Sequence, residues 1–275
     1  MHFSDFNQVI ALNEFDLQLK SLFYPKVMFI ETALKNYVIE AVLNNSKSEN
    51  FDVIFNNSVT CYRDFTKGSR NYNQAYTKRM KLKGKINSIL LRDYGMNQQI
   101  VKHFFDSDKA IPIWAIFESL ALGEFGTFFS CCNTDTKLYT SALLKLPTNL
   151  DADGAITEFI IYTIKDLRNA IAHNNVIFDT RFQTGRINSR LMSCLEHETK
   201  IPNIMFSNID SYVILIVYVL RKMGTSKTEC RKFLRNFISI TESLRHKIPI
   251  NMYNQIIYTN LRPNMNRLDL YISNS

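Results

Sequence analysis

Glycine and proline are scarce in this chain, with 8 and 6 in 275 residues. So few turn-formers argue against a fold of many short strands joined by tight turns, and they favour long helices. A single tryptophan is present, and no C-x-x-C occurs among the five cysteines Cys61, Cys131, Cys132, Cys194 and Cys230. None of these pairs with a histidine at zinc-ligand spacing, so the sequence offers no metal site and the thiols are expected to be buried. There is no Gly-rich phosphate loop and no G-x-S-x-G elbow, and nothing calls for a cofactor. The most apolar run, Tyr212 to Leu220, is too short to span a bilayer. The opening stretch MHFSDFNQVIALNEF carries acids and lacks a basic leader, so the expectation is a cytoplasmic protein without a membrane partner.

What is present is apolar and basic. Hydrophobic residues make up 46% and charged residues 21%, in the range of folded proteins, with 20 Phe and 13 Tyr to fill a core. The net charge is +8, which suits a polyanionic partner.

Apolar residues recur at three- and four-residue steps along most of the chain, predicting an all-α fold. A first helix is expected over 17–44, kinked or split by Pro25. Residues 45–72 are polar and read as a loop with some irregular structure. Helices follow over 73–93 and 96–106, in the segment opened by Pro112, and over 135–146. In that segment Gly123 and Gly126 suggest a turn or close helix packing. Trp114, among Ile113, Ile116 and Phe117, is expected in the core, and Glu118 reads as structural. The clearest helix covers 152–173, with Ile156, Phe159, Ile160, Thr163, Ile164, Leu167, Ala170 and Ile171 as one stripe. Asn174-Asn175 is its expected stop. Further helices are predicted between 186 and 246, and 249–275 is mixed. No repeat or linker divides the chain, so one helical domain of nine or ten helices over 1–275 is expected.

The motif helix ends on Arg168-Asn169-Ala170-Ile171-Ala172-His173, an R-x-x-x-x-H hexad. With 14 Arg and 5 His in 275 residues, chance alone gives such a pair roughly 0.25 times, so the context matters more than the match. On a helical wheel the apolar stripe lies near 0°, Arg168 near ~120° and His173 near ~−100°, with Asn169 between them. The three polar residues therefore face away from the core. Histidine titrates near neutrality and can move protons, and an arginine fork can hold two phosphate oxygens. Asn169 can position either partner. These are the groups that RNA cleavage by the neighbouring 2′-OH requires, without a metal. One helix splays Arg168 and His173 by about 140°, so a homodimer with a composite site is the expectation. The bland reading is that Arg168 pairs with Asp166 or another acid while His173 ends a helix.

A second feature is the run Lys78-Arg79-Met80-Lys81-Leu82-Lys83-Gly84-Lys85. Lys78, Lys81 and Lys85 share a helical face beside Leu82, Ile86 and Ile89. Such a strip can track an RNA backbone, with Tyr72 and Tyr76 available to stack on bases. The RNA-binding candidates are Lys78, Arg79, Lys81, Lys83 and Lys85, weighed against a solvated helix face.

The stretch LRNAIAHNNVIFD (167–179) resembles the motif region of the Abi-like abortive-infection proteins of bacteria (AbiD/AbiF type). PIWAIFESLALG, with Pro112, Trp114, Glu118 and Gly123, resembles a second block of that family, and Ile30-Glu31 with Leu34 its opening segment. The resemblance implies a HEPN-type helical bundle with additional helices, phage defence and metal-independent endoribonuclease activity. Arg168 and His173 would be catalytic and Asn169 supporting. RNA would be the substrate and a small non-coding RNA a possible partner. The alternative reading is a non-catalytic, RNA-binding or small-RNA-controlled scaffold. The run EFGTFF after Gly123 departs from the more polar stretch expected there.

Overall fold

A computed structural model describes residues 5–257 and 259–275. Among these the chain forms thirteen α-helices and one short 3-10 turn, and no strand. The all-α expectation holds. Helices α1 (Phe6–Ser46), α2 (Phe51–Asn57), α3 (Arg70–Gly95), α4 (Gln99–Asp106), α5 (Ile113–Ser119), α6 (Leu122–Cys131) and α7 (Thr134–Leu143) precede the motif helix α8 (Ala155–Ala172). Helices α9 (Ser189–Thr199), α10 (Ile209–Lys222), α11 (Lys227–Lys247), α12 (Ile250–Ile256) and α13 (Leu261–Asn274) follow it. None of the described helices is long and apolar enough to cross a membrane.

Three local expectations need correction. Helix α1 begins eleven residues earlier than periodicity suggested and is not split, although Pro25 lies inside it. Pro25 and Ser21 both stand on its exposed side. The carbonyl that proline deprives of a donor can therefore turn to water. The polar segment 45–72 is not all loop. Asn50 caps α2 by accepting from the N–H groups of Asp52 and Val53, and Phe51, Ile54 and Phe55 bury its inner face. Trp114 is 42% exposed rather than core. Ile113, Ala115, Ile116 and Phe117 of α5 and then Leu120 are buried, while position 114 points to the one side of the helix that none of them occupies. The mixed tail resolves into α12 and α13, which raises the helix number above the nine or ten expected.

Contacts cluster into two compact units, Met1–Ile30 with Thr163–Ser275, and Glu31–Tyr162. In the first, α10 is buried on every face from Ile209 to Leu220. A helix that is apolar all round must sit inside. Phe23 of α1 packs against Phe233 and Phe237 of α11, with ring centroids 5.8 and 6.4 Å apart. Polar contacts also tie helices of this unit together. Arg231 bonds Asp269 at 3.1 Å and Ser273 at 2.7 Å, and Lys222 pairs with Glu198 at 2.7 Å.

In the second unit, Glu31 is buried and pairs with Lys35 at 3.3 Å. Lys35 then donates to the Leu120 carbonyl, 2.9 Å away at the end of α5. Gly126 lets α6 approach the motif helix: a Cβ there would lie 3.0 Å from the Tyr162 ring. Gly154, just before α8, has φ +69°, and a Cβ there would meet the Lys137 backbone at 2.6 Å.

Two stability outcomes follow. Gly154→Ala suffers both a left-handed backbone and a clash with backbone atoms, so thermal or urea unfolding should show a loss of about 2 kcal/mol or more. Asp210, in the first turn of α10, is buried with one carboxylate oxygen unpartnered. Burial raises its carboxyl above the ordinary value, opposed by the Asn264 amide at 3.2 Å. Its folded-state pKa exceeds the unfolded one, so its cost to stability is absent in acid and grows as pH rises. Asp210→Asn should therefore raise Tm at pH 7, and the gain should vanish below the ordinary aspartate range. An equal gain at pH 3 would contradict this.

Candidate functional site

The motif helix is capped at its start by side chains that accept backbone N–H groups. At its start Asp151, 1% exposed, accepts from the Ile156 N–H at 2.9 Å and from the Ser141 hydroxyl at 2.5 Å. Asp153 accepts from the Ala155 N–H at 3.2 Å. These acids satisfy donors that a helix N-terminus leaves open. Along the helix Ile156, Ile160, Ile161, Ile164, Leu167 and Ala170 are buried, while Phe159 and Ile171 are half-buried. The predicted stripe is thus mostly the buried face.

The helix ends where the two asparagines suggest. The His173 N–H still donates to the Asn169 carbonyl at 2.9 Å. Asn174 then turns left-handed, with φ 54°. Its N–H donates to Ile171 at 3.1 Å, and that of Asn175 to Ala170 at 2.8 Å. This is a Schellman arrangement with Asn in the place glycine often takes. His173 therefore occupies the cap position and is exposed, whereas Arg168 and Asn169 are half-buried on the flank of the helix.

A feature that periodicity did not reveal holds this turn. Asp16 of α1, 4% exposed, accepts from the N–H groups of Ile177 at 2.8 Å and Phe178 at 3.1 Å. Its other oxygen pairs with Lys20 at 2.6 Å. Lys20 donates onward to the Asn174 side-chain oxygen at 2.9 Å and carbonyl at 3.3 Å. Phe15, one residue before Asp16, lies 6.2 Å from Phe178, ring centre to ring centre. The D-x-x-x-K spacing on a helix was the available signal, because it sets a carboxylate and an ammonium on one face. Its target lies more than 150 residues away. Asp166 is also occupied: it accepts from the Thr184 hydroxyl at 2.7 Å and N–H at 3.2 Å and pairs with Lys165 at 2.9 Å.

Chemically, the helix end offers an exposed imidazole, a guanidinium and a carboxamide on one fixed element. The imidazole can take or give a proton, and the guanidinium can hold a phosphate. Five residues separate Arg168 from His173, a rise of about 7.5 Å and a turn of about 140°.

The basic run on α3 is divided by the fold. Arg79 turns inward, donating to the Val59 carbonyl at 2.8 Å, the Phe55 carbonyl at 3.0 Å and the Asn56 side chain at 3.1 Å. Its guanidinium also lies 4.2 Å from the Phe55 ring centre. Lys83 follows on that side, bonded to Asp52 at 3.0 Å. Tyr72 and Tyr76 stack parallel there, 6.0 Å apart, with Tyr62 edge-on to both. Lys78, Lys81 and Lys85 face the other way, into a groove of about 960 Å³ between α3 and α6 that Arg70, Glu124 and Thr127 also line.

Four of the five cysteines, Cys131, Cys132, Cys194 and Cys230, are buried as expected, whereas Cys61 is only half-buried. Burial pushes the Cys132 thiol up. Among the described residues no three His, Cys, Asp or Glu side chains gather as a metal site.

A family model described as Abi-like protein matches residues 1–179. That span contains Ile30-Glu31, the Pro112–Gly123 block and the whole hexad, and ends at Asp179. No curated protein and no solved structure matches the chain.

Because Asp16 is buried with an ammonium and two backbone donors, Asp16→Ala should cost about 2–4 kcal/mol. It should also speed amide hydrogen exchange at Ile177 and Phe178. Unchanged exchange at those two amides would show that the turn is held by other means.

Proposed function

The chain belongs to the Abi-like family, and we propose that it is a metal-independent, HEPN-type endoribonuclease acting in abortive infection against phage. The observation that carries this reading is the placement of the hexad. His173 is exposed at a helix end whose following turn is fixed from α1, and Arg168 and Asn169 stand off the buried stripe of the same helix. In the proposed reaction the substrate's own 2′-OH attacks the adjacent phosphorus and loses its proton. The bond from phosphorus to the 5′-oxygen breaks and that oxygen leaves protonated, so that one product ends in a cyclic phosphate and the other in a 5′-OH. One His173 takes the 2′-OH proton and the His173 of the second copy gives one to the leaving 5′-oxygen, Arg168 stabilises charge on the phosphate oxygens, and Asn169 orients one of them. A single copy holds the two main groups on different sides of the helix. A homodimer that places two such helix ends together would surround one phosphodiester. A small non-coding RNA is a further partner in this reading.

The cation-lined groove on α3 favours one other reading, a non-catalytic RNA-binding or small-RNA-controlled scaffold. Purified protein incubated with a mixed RNA pool in EDTA separates the two. Cleavage to products ending in cyclic phosphate is expected, and a gel shift without cuts would favour the scaffold. His173→Ala should lose cleavage by about 10²–10⁴-fold while keeping its helical circular dichroism. Full activity in that folded variant would remove His173 from the reaction.

A further inference from the structure

The groove between α3 and α6 is lined by cations from one face of a single helix. Arg70, Lys78, Lys81 and Lys85 stand at i, i+8, i+11 and i+15 on α3. Fifteen residues of helix rise about 22 Å, so the positive row extends along the groove rather than gathering at one point. Glu124 on the opposite wall lies 3.8 Å from Lys85. Arg70, Lys78 and Lys81 have no carboxylate partner among the described residues, whereas Lys83, on the other side of the same helix, is paired with Asp52. The fold thus consumes one part of the basic run and leaves another part uncompensated in a concave site. Asn73 and Thr77 of α3 and Thr127 of α6 add uncharged hydrogen-bonding groups to the walls.

We propose that this groove binds a single strand of RNA along its phosphates, with Arg70, Lys78, Lys81 and Lys85 as the contacts. The dimensions select the ligand. A cleft of about 960 Å³ is on the scale of a small-molecule site and does not admit a duplex. A row about 22 Å long outruns a mononucleotide and suits successive phosphates. RNA is chosen over an acidic polypeptide because the proposal rests on the ribonuclease reading. The groove supplies strand binding that does not depend on sequence, distinct from the hexad. Lysine ammoniums provide this as compact charges, and salt should weaken it.

The test uses the full chain carrying His173→Ala, so that RNA is not consumed, and a fluorescein-labelled 20-nucleotide oligouridine. Anisotropy titrations over a salt series give the slope of log affinity against log salt. Four contacts predict a slope near −2.8, at about −0.7 per phosphate on a single strand. Lys78→Gln/Lys81→Gln keeps the aliphatic stems and should flatten the slope by about 1.4. Lys83→Gln should leave it unchanged. An unaltered slope in the double variant overturns the proposal. So does equal flattening by Lys83→Gln, or binding of oligoglutamate in place of RNA. Cleavage by the unmutated chain is scored separately. Groove-dependent binding without cleavage sinks only the ribonuclease reading, and cleavage without a groove effect sinks only the groove.

Discussion

A buried carboxylate without partners is costly enough that a protein neutralises or excludes it. Asp16 is buried and fully engaged, with an ammonium on one oxygen and two backbone N–H groups on the other. That arrangement exists only when the chain after α8 turns back to present Ile177 and Phe178. Lys20 closes the same loop by holding Asn174. The direction in which the motif helix ends, and hence the position of the His173 ring, is tied to α1 through these contacts. The left-handed Asn174 supplies the reversal and the ion pair fixes where it goes.

The family match gives this arrangement a wider meaning. It begins at the first residue and stops at Asp179, just after the segment that Asp16 holds. Both partners of the Asp16 contact lie inside the matched span. So do Glu31 and the Leu120 carbonyl, which are joined through Lys35 in the other unit. In each unit an acid on α1 sets a lysine one turn on, and that lysine satisfies a carbonyl beyond the end of another helix. The same i, i+4 device is used twice on one helix, for two different anchors.

Helix α3 shows how one composition serves two ends. Buried Leu82, Ile86 and Ile89 define its inner face, and the basic residues fall on both flanks. On one flank Arg79 meets the open carbonyls near the end of α2, and its charge becomes structural. On the other the lysines meet a groove with a single acid in it. Net charge and a basic run cannot separate these fates, because the distinction lies in what the neighbouring helix presents.

Much of the fold was legible in the residues. Scarce glycine and proline and the three-and-four spacing set an all-helical chain. The limits of α8 followed from its acids at one end and Asn174-Asn175 at the other, because caps are local chemistry. The wheel also placed Lys78, Lys81 and Lys85 on a common face. Where the sequence misled, a contact distant along the chain or a question of exposure decided. Pro25 does not split α1 because it lies on the exposed side. Trp114 is exposed because apolar neighbours in sequence are not neighbours around a helix. Asn50 starts a helix inside a polar stretch because its side chain caps two N–H groups. Local propensity and periodicity are written within a few turns of helix, so the sequence determined the elements and the exposed display of His173 at the end of α8. The carboxylate holding that display, and the division of the basic run into scaffold and groove, join residues far apart in the chain, and only tertiary structure could decide them.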